Sequence, residues 1–393
     1  MRQIILLQPQ SSIQVMESVI FSVLELVMNK NSVLGLLASL AVMLIPMSVV
    51  AGEQVEPLRI AVIGLVHGHV EGVLWQAKDR DDLQIVGIYD PNPELFAKYK
   101  HKYALDESWY FDDLEEMLDA TKPEAASVMT SIKDHIDAVR ACAPRGIHTL
   151  IEKPLSFSAV EALEMKKLSV QHDVLVLTNY ETSWYGSVRT AARLAKESGP
   201  INRAVFRHGH KGPREIGCSE EFLEWLTDPQ ENGGGAIVDF GCYGANLMTW
   251  LMGNQIPESV TAITRQLKPD VYPDVDDDAT IVLGYKDSVA VIQASWAWTH
   301  DNKDMDLYTP GASYHASKWD SLTKRDPDSD RKAHPIDDRP EELRNEWTYF
   351  RKVIRGECEV DPLSSLENNI IVCVILDAAR ESVRTGNSVH LRD

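Results

Sequence analysis

Short runs of β-branched residues alternate with helical segments between residues 58 and 154, and this alternation most constrains the fold. The first run, RIAVIG at residues 59–64, ends in glycine, and residues 83–89 form a second predicted strand. Further strands are predicted at residues 125–129 and 148–151, each preceded by a predicted helix. Strands that alternate with helices in this way are typical of βαβ units. The sequence therefore predicts an α/β fold with a doubly wound parallel sheet.

The length and the charge of the chain limit its organisation and its partners. At 393 residues the chain exceeds the usual size of a single hydrophobic core, which favours two domains. A formal net charge of −20 opposes binding to nucleic acids and to anionic membranes, because both require a basic surface. The five cysteines show no CxxC spacing, so neither a zinc knuckle nor a disulfide framework is predicted.

Residues 1–51 are interpreted as an upstream extension followed by a secretory signal peptide. From Met28 the chain has a short polar region with a lysine, a largely apolar run at residues 33–50, and small residues before Gly52. This order matches the parts of a signal peptide. The alternative is a membrane anchor, but Pro46 interrupts a run that barely reaches the length of a span, about 18–20 residues. We expect export to the periplasm with no stable membrane span in the mature protein, and a cytoplasmic protein if this interpretation is wrong.

The motif EKP at residues 152–154 follows the predicted strand at residues 148–151. Ligands of open α/β sheets bind beyond the carboxyl ends of the strands, which is where this motif places Lys153. The alternative is a solvated surface lysine, since most lysines are exposed.

The first strand leads into the turn GLVHGH at residues 64–69, where a dinucleotide-binding fingerprint would read GxGxxG. The match is degenerate, because Val66 takes the place of the second glycine and His69 that of the third. We assign this turn to cofactor binding, through Gly64, Val66, His67, Gly68 and His69. Asp90, at the tip of the second strand, could bind the ribose hydroxyls and repel a 2′-phosphate, which favours NAD over NADP. Its alternative role is a helix N-cap or a turn.

The chain from residue 59 onward resembles the Gfo/Idh/MocA family of sugar and cyclitol oxidoreductases. The matching pieces occur in the family's order: the first strand with its glycine, Asp90, TS at residues 130–131 with His135, EKP, and GGGAIVDFGCY at residues 233–243. The resemblance implies a Rossmann domain at residues 58–178 and, at residues 179–393, an α/β domain with a large, mostly antiparallel sheet. With it we assign Thr130 and Glu152 to the cofactor. His135 is assigned to the cofactor or to the cap of the helix that follows it.

Tyr243 and Asn246 depart from the histidine and the aspartate that many family members carry at these positions. This part of the chain resembles the glucose–fructose oxidoreductase branch, in which a tyrosine is the proposed acid/base. Lys153 could favour the phenolate of Tyr243, or it could be the base itself, with a pKa lowered by burial and by the oxidised nicotinamide. The sequence leaves both open. Asp239 is assigned to orienting a substrate hydroxyl, and its alternative is a helix N-cap.

Histidines and aromatic residues suggest a polar pocket for a carbohydrate. Alternation along a strand places His208 and His210 on one face. With His67 and His69 they could bind a transition metal, but such histidines more often bind sugar hydroxyls or lie on the surface, and we predict no metal site. Candidate substrate-binding residues are Tyr180, His208, His210, Lys211 and Arg214.

Three further segments carry structural expectations. Trp296 and Trp298 alternate on a predicted strand, which favours an interface between subunits and thus a homodimer or homotetramer formed through the C-terminal sheet. The acidic run at residues 274–278 is predicted to be a solvated loop. Residues 309–338 contain few hydrophobic residues and are predicted to form a long loop or insertion.

Three functions are compatible with the sequence. The favoured one is an NAD-dependent dehydrogenase that acts on a sugar, a glycoside or a cyclitol, with Lys153 and Tyr243 transferring the proton. The second is a glycosidase-like or epimerase-like enzyme that recycles a tightly bound NAD through oxidation, elimination and reduction, which export would favour. The third is a carbohydrate-binding protein without activity, which the unusual residues Val66 and His69 leave open.

Overall fold

The computed structural model describes residues 56–391. The predicted extension and signal peptide, residues 1–51, lie outside the described residues. None of the described helices combines the length and the apolar composition that crossing a bilayer requires.

The first sheet has six parallel strands in the order β3-β2-β1-β4-β5-β6. The predicted doubly wound parallel sheet is thereby confirmed. The strands are β1 (Leu58–Ile63), β2 (Leu83–Tyr89), β3 (Tyr110–Phe111), β4 (Ala125–Val128), β5 (His148–Glu152) and β6 (Val176–Asn179).

Helices cover both faces of this sheet because both faces of β1 are apolar. Successive side chains of a strand point to opposite faces. Ile60 and Val62 therefore pack in one core cluster, and Ala61 and Ile63 pack in another. The helices are α1 (Val70–Gln76), α2 (Pro93–Tyr103), α3 (Leu114–Thr121), α4 (His135–Cys142) and α5 (Ala159–His172). Side-chain caps fix three helix starts, from Asn92, Asp113 and Ser158.

The second sheet has nine strands in the order β14-β13-β12-β11-β7-β10-β9-β8-β15. Within it β7 and β10 pair in parallel and the other pairs are antiparallel, which confirms the mostly antiparallel sheet. The strands are β7 (Arg203–Gly209), β8 (Ser259–Arg265), β9 (Asp278–Gly284), β10 (Val289–Ser295), β11 (Asn302–Tyr308), β12 (Ser313–Ser317), β13 (Ser321–Arg325), β14 (Lys332–Ala333) and β15 (Val389–His390).

Six further helices lie in the second half of the chain. They are α6 (Gly186–Glu197), α7 (Glu220–Leu226), α8 (Ala236–Asp239), α9 (Gly241–Leu251), α10 (Glu346–Ile354) and α11 (Leu366–Thr385). Of these, α10 returns to the first sheet, where Trp347 and Phe350 pack in one cluster with Leu150 and Leu177. The last part of the chain thus completes the core of the first sheet.

The prediction of a long loop at residues 309–338 is wrong, because this segment forms β12, β13 and β14. Tyr314, Ala316 and Leu322 are buried, and the residues between them face outward. A strand with one solvated face has about half the hydrophobic residues of a central strand. The low hydrophobic content therefore reflects the solvated face of these strands.

The predicted roles of the tryptophans and of the acidic run are also wrong. Trp296 lies after the end of β10 and is buried, 5.1 Å from the ring of Tyr272. It therefore offers no surface to a second subunit. Asp276 and Asp277 turn inward, where their carboxylates accept hydrogen bonds from backbone N–H groups at residues 235, 237, 267 and 268. Because of these hydrogen bonds, Asp276 and Asp277 do not belong to a solvated loop.

Candidate active site

Two clefts meet the carboxyl ends of the strands in the first sheet. The first, here called the acidic cleft, has a volume of about 580 Å³ and includes Gly64, Asp90 and Thr130. The second, here called the lysine cleft, has a volume of about 470 Å³ and includes Lys153 and Tyr243. Both volumes lie in the usual range of small-molecule sites.

Gly64 and Asp90 fix the turn after β1. Gly64 has φ of +85°, and a Cβ there would lie 2.7 Å from Thr130 Cγ2 and 2.9 Å from the carbonyl of Met129. The Asp90 carboxylate accepts the N–H groups of Leu65 and Asn92, each at 2.8 Å. The first glycine of the fingerprint is therefore required, and Asp90 holds the turn as well as lining the acidic cleft.

Carboxylates dominate the lining of the acidic cleft. Burial raises the pKa of Asp90, although the two backbone N–H groups act against that shift. Lys133 pairs with Glu231, 2.8 Å away, at the edge of the same cleft. A ligand with an additional phosphate would meet repulsion here. The carboxylates are those of Asp90, Asp134, Asp137, Glu221, Glu224, Asp228 and Glu231.

Helix α7 lies across the turn and separates the two clefts. Trp225 Nε1 donates a hydrogen bond of 3.4 Å to the carbonyl of Val66, and both residues line the acidic cleft. The His67 ring lies 5.0 Å from the ring of Phe222, and both residues line the lysine cleft. Burial, reinforced by His69, lowers the pKa of His67 well below its usual value, so this imidazole is neutral. A ligand that spans both clefts must pass beside α7.

Lys153 is 7% exposed and forms an ion pair with Asp239. Its ammonium donates to the Asp239 carboxylate and, at 3.2 Å, to the Asp239 backbone carbonyl. The other carboxylate oxygen accepts Trp296 Nε1 at 2.8 Å. Burial lowers the pKa of Lys153, but the charge and hydrogen bond of Asp239, together with Cys242 and Glu152, outweigh it and the net shift is upward. Asp239 is the last residue of α8, so its N-cap alternative is wrong.

The Tyr243 ring lies between two ammonium groups, with Lys153 Nζ and Lys303 Nζ each 5.3 Å from its centre. Burial nevertheless raises the pKa of Tyr243 well above its usual value, and the Glu181 charge raises it further. The sequence left open whether Tyr243 or Lys153 is the base, and that assignment stays a prediction. The phenol keeps its proton, and the lysine stays charged.

Several predicted site residues lie outside the lysine cleft. Tyr180 and His208 are fully buried beneath Tyr243, at ring distances of 5.4 and 5.5 Å. Burial lowers the pKa of His208 to about 3. These two residues support Tyr243 from below, whereas His210 lines the cleft. The contact of Tyr180 and His208 with a substrate, predicted from the sequence, is not what the structure shows.

The exposed residues Lys211 and Arg214 also lie outside the cleft lining. Arg214 pairs with Glu220, 3.6 Å away. His135 is fully buried, with Nδ1 3.3 Å from the carbonyl of Leu155, and burial lowers its pKa to about 4. It lines neither cleft.

His67, His69 and Glu152 form a cluster whose ligand atoms lie within 4.8 Å of one another. His69 Nδ1 is 3.2 Å from the Glu152 carboxylate. Burial raises the pKa of Glu152, but His69 outweighs it and lowers the value to about 2. Two imidazoles and a carboxylate are a known zinc ligand set. However, His67 Nδ1 accepts the His69 N–H at 3.1 Å, so the proton of the neutral His67 ring is on Nε2. A metal could bind His67 only if this hydrogen bond were broken.

Comparison with family models explains this arrangement. Residues 58–180 match a model described as an oxidoreductase family with an NAD-binding Rossmann fold. Residues 188–313 match the GFO/IDH/MocA C-terminal domain. The chain belongs to the GFO/IDH/MocA family. The resemblance drawn from the sequence motifs is thereby confirmed.

Relatives of this GFO/IDH/MocA protein include dehydrogenases of different substrates. Human trans-1,2-dihydrobenzene-1,2-diol dehydrogenase is 24% identical over 234 residues, which are 58% of this chain and 65% of the relative. D-glucoside 3-dehydrogenase of Escherichia coli K12 is 26% identical over 216 residues, which are 52% of this chain and 57% of the relative. The chain thus spans less than two thirds of the length of these relatives.

Solved structures show the same GFO/IDH/MocA fold. An inositol dehydrogenase homologue from Azotobacter vinelandii, complexed with NAD+, has a TM-score of 0.73 at 18% identity and covers 86% of this chain and 98% of its own. Aldose–aldose oxidoreductase from Caulobacter crescentus has a TM-score of 0.71 at 17% identity and covers 86% of this chain and 100% of its own.

Sequence reasoning missed several residues that line the lysine cleft of this GFO/IDH/MocA protein. Lys303, on β11, pairs with the Glu181 carboxylate, which also accepts the Tyr185 hydroxyl at 2.5 Å. Lys303 reaches the cleft because β11 pairs with β7, with Lys303 opposite His208. No local pattern marks such a residue, since the pairing joins segments far apart in sequence. The missed residues are Glu181, Asp301, Asn302, Lys303, Lys318 and Trp319.

Proposed function

We propose that the protein is an NAD-dependent oxidoreductase that acts on a hydroxyl-bearing carbon of a sugar, a glycoside or a cyclitol. The observation that carries this proposal is the pairing of Lys153 and Tyr243 in one cleft beside the turn after β1. Ammonium and phenol groups can both donate hydrogen bonds to a substrate oxygen. The names of the relatives, which are dehydrogenases of a diol and of a glucoside, support the same reaction class.

The acidic cleft fits the adenosine half of NAD better than that of NADP. Gly64 leaves room for the turn, and Asp90 remains at the tip of β2, where a ribose would lie. The seven carboxylates that line the cleft oppose a 2′-phosphate. We therefore propose NAD as the cofactor.

The residues of the lysine cleft divide the proton chemistry between them. NAD, when bound, accepts or returns the hydride. In the direction of carbonyl reduction, Tyr243 donates its proton to the substrate oxygen, while Lys153, held by Asp239, orients that oxygen. In the direction of oxidation the same path runs in reverse, so the Tyr243 oxygen receives the substrate proton after the phenol has released its own proton to solvent. The Lys153 and Lys303 ammonium groups, each 5.3 Å from the ring centre, would favour the phenolate that this direction requires.

A second candidate is an enzyme in which NAD stays bound and returns the hydride within one turnover. Helix α7 favours it, because Trp225 and Phe222 cover the turn between the two clefts and would slow exchange of the cofactor. Oxidation at one carbon would acidify its neighbour, and elimination would then break a glycosidic bond before reduction. This candidate uses the same residues as the first.

One measurement separates these functions. The purified protein is denatured, and the supernatant is assayed for NAD and NADP. About one NAD per chain supports the recycling enzyme, and an empty protein that binds added NAD reversibly supports the ordinary dehydrogenase. A protein that neither holds nor binds NAD or NADP would overturn both.

The variant Tyr243→Phe then tests the proton donor, with Tyr308→Phe on an exposed strand end as the control. Loss of a general acid typically costs about 10²- to 10⁴-fold in rate. The assay is turnover of panels of methyl glycosides and cyclitols. We expect a loss of that size in Tyr243→Phe and unchanged turnover in the control. Turnover within threefold of wild type in Tyr243→Phe would exclude Tyr243 as the donor.

A further inference from the structure

The turn between β12 and β13 places Trp319 at the rim of the lysine cleft. Its backbone is fixed, because the Trp319 carbonyl accepts the N–H of Ser187 at 3.1 Å. The neighbouring Lys318 carbonyl accepts the Ser187 hydroxyl at 2.6 Å. This turn is therefore anchored to the first residues of α6 and does not depend on the indole for its position.

The indole itself is supported from within the protein and open to solvent. The Tyr185 ring lies 4.7 Å from it, and the Arg339 guanidinium lies 5.9 Å from its centre. Arg339 also donates a hydrogen bond to the carbonyl of Trp184, which holds the guanidinium in place. The residue nevertheless remains 43% exposed. A large apolar ring held in one orientation loses little conformational freedom when a ligand binds to it.

Space continues beyond the lysine cleft at this point. A neighbouring cavity of about 360 Å³ shares His69, Glu181 and Trp319 with the lysine cleft. A substrate whose reacting carbon lies at Lys153 and Tyr243 can therefore extend along the Trp319 side. The polar groups of the site lie on the inner side of this path, where Glu181 is bonded to Lys303 and Tyr185.

We propose that Trp319 is the platform of a second subsite, on which a ring linked to the reacting sugar stacks. The substrate is then a glycoside whose aglycone is an aromatic ring or a second sugar, rather than a free monosaccharide or a cyclitol. This inference rests on the proposed function and specifies its substrate class. Sugars and aromatic rings both present flat apolar surface, and the exposed face of an indole matches either.

Calorimetric binding of paired probes tests the subsite without requiring turnover. Methyl and p-nitrophenyl β-glycosides of glucose, galactose and N-acetylglucosamine are titrated into the full chain. Ring contacts are worth about 0.5–1.5 kcal/mol, which is about 2- to 13-fold in affinity. We expect at least one p-nitrophenyl glycoside to bind more tightly than its methyl partner by a factor in this range. If none does, the inference is overturned.

Variants assign the preference to Trp319. In Trp319→Ala the two members of the preferred pair should bind equally, and Trp319→Phe should restore part of the difference. Trp75→Ala is the matched control, since Trp75 is 62% exposed and lines neither the lysine cleft nor its neighbouring cavity. A preference that survives in Trp319→Ala would overturn the subsite. So would a change of oligomeric state in Trp319→Ala with unchanged binding, which would instead assign the indole to a subunit contact.

The same experiment distinguishes a failure of this inference from a failure of the proposed function. Turnover of the methyl glycoside, measured in the wild-type protein and in the control Trp75→Ala, reports on the reaction alone, since Trp75 lines neither the lysine cleft nor its neighbouring cavity. An aryl preference without any turnover would support the subsite and contradict the oxidoreductase.

Discussion

Replacing Asp239 with asparagine tests whether the buried charge of Lys153 depends on this one carboxylate. Each side chain of the pair is 8% exposed. The amide keeps the size of the side chain but supplies one acceptor oxygen, where the carboxylate now accepts from both Lys153 and Trp296. Removing one partner of a buried ion pair costs about 3–5 kcal/mol. Lys153 keeps its bond to the Asp239 backbone carbonyl. We therefore expect the free energy of unfolding to fall by about 3 kcal/mol, the lower end of that range.

The loss of stability in Asp239→Asn should depend on pH. Burial lowers the pKa of Lys153, and in the wild-type protein the charge and hydrogen bond of Asp239, with smaller effects of other groups, overcome this and raise it. The wild-type contribution of Lys153 is thus complete below about pH 10.4 and is lost above it. In Asp239→Asn burial dominates and the folded pKa falls below about 10.4. The unfolded variant then binds more protons, so its stability rises with pH. The difference in the free energy of unfolding between the wild-type protein and Asp239→Asn should therefore decrease from about pH 7 to about pH 10.

Urea unfolding followed by circular dichroism measures both effects. The control is Glu381→Gln, which changes an exposed pair with Arg384 and should leave the free energy of unfolding nearly unchanged. The reasoning is refuted if Asp239→Asn costs no more than this control. It is also refuted if the cost is large but independent of pH, because a lost packing contact would behave in that way.

Three further predictions concern the turn and the loop around the site. Gly64→Ala places a Cβ 2.7 Å from Thr130 at a positive φ, and the free energy of unfolding should fall by about 1–3 kcal/mol in urea; an unchanged value would show that the turn adapts. Asp276→Asn replaces an oxygen that accepts a backbone N–H with an amide NH₂. At a pH above the Asp276 pKa of about 6, the free energy of unfolding in urea should therefore fall by about 1–3 kcal/mol. A fall of less than about 0.5 kcal/mol would contradict this. Trp225→Phe removes the bond to Val66, so bound nucleotide should exchange faster in a dilution chase; equal rates would show that α7 does not retain it.

The first sheet could be predicted from the sequence because its signals are local. β2 covers the predicted residues 83–89, and β5 extends the predicted strand by one residue to Glu152. The central strands β1 and β4 are buried on both faces, so they appear as continuous apolar runs. Strands with one solvated face, such as β12, lack that signal, and their prediction failed for this reason.

The site was predicted in part, and the missing part is electrostatic. Lys153, Asp239 and Tyr243 come together as the motifs indicated, in one cleft. The directions in which their pKa values shift could not be predicted from the sequence, because the pKa of a buried group depends on all charges around it. The Asp239 carboxylate lies against Lys153 only once α8, which packs on β9 and β10 of the second sheet, has met the end of β5. Such a contact between residues 86 positions apart has no local pattern.

The return of α10 to the first sheet has a consequence for how the chain is made. Trp347, Tyr349 and Phe350 cover an apolar face that β1, β5 and β6 have already formed. During synthesis, N-terminal domains generally fold first, but here that face stays uncovered until residue 350 has left the ribosome. A fragment that ends near residue 180 would expose it and aggregate. We therefore expect the first sheet to be stable only when the segment that carries α10 is present.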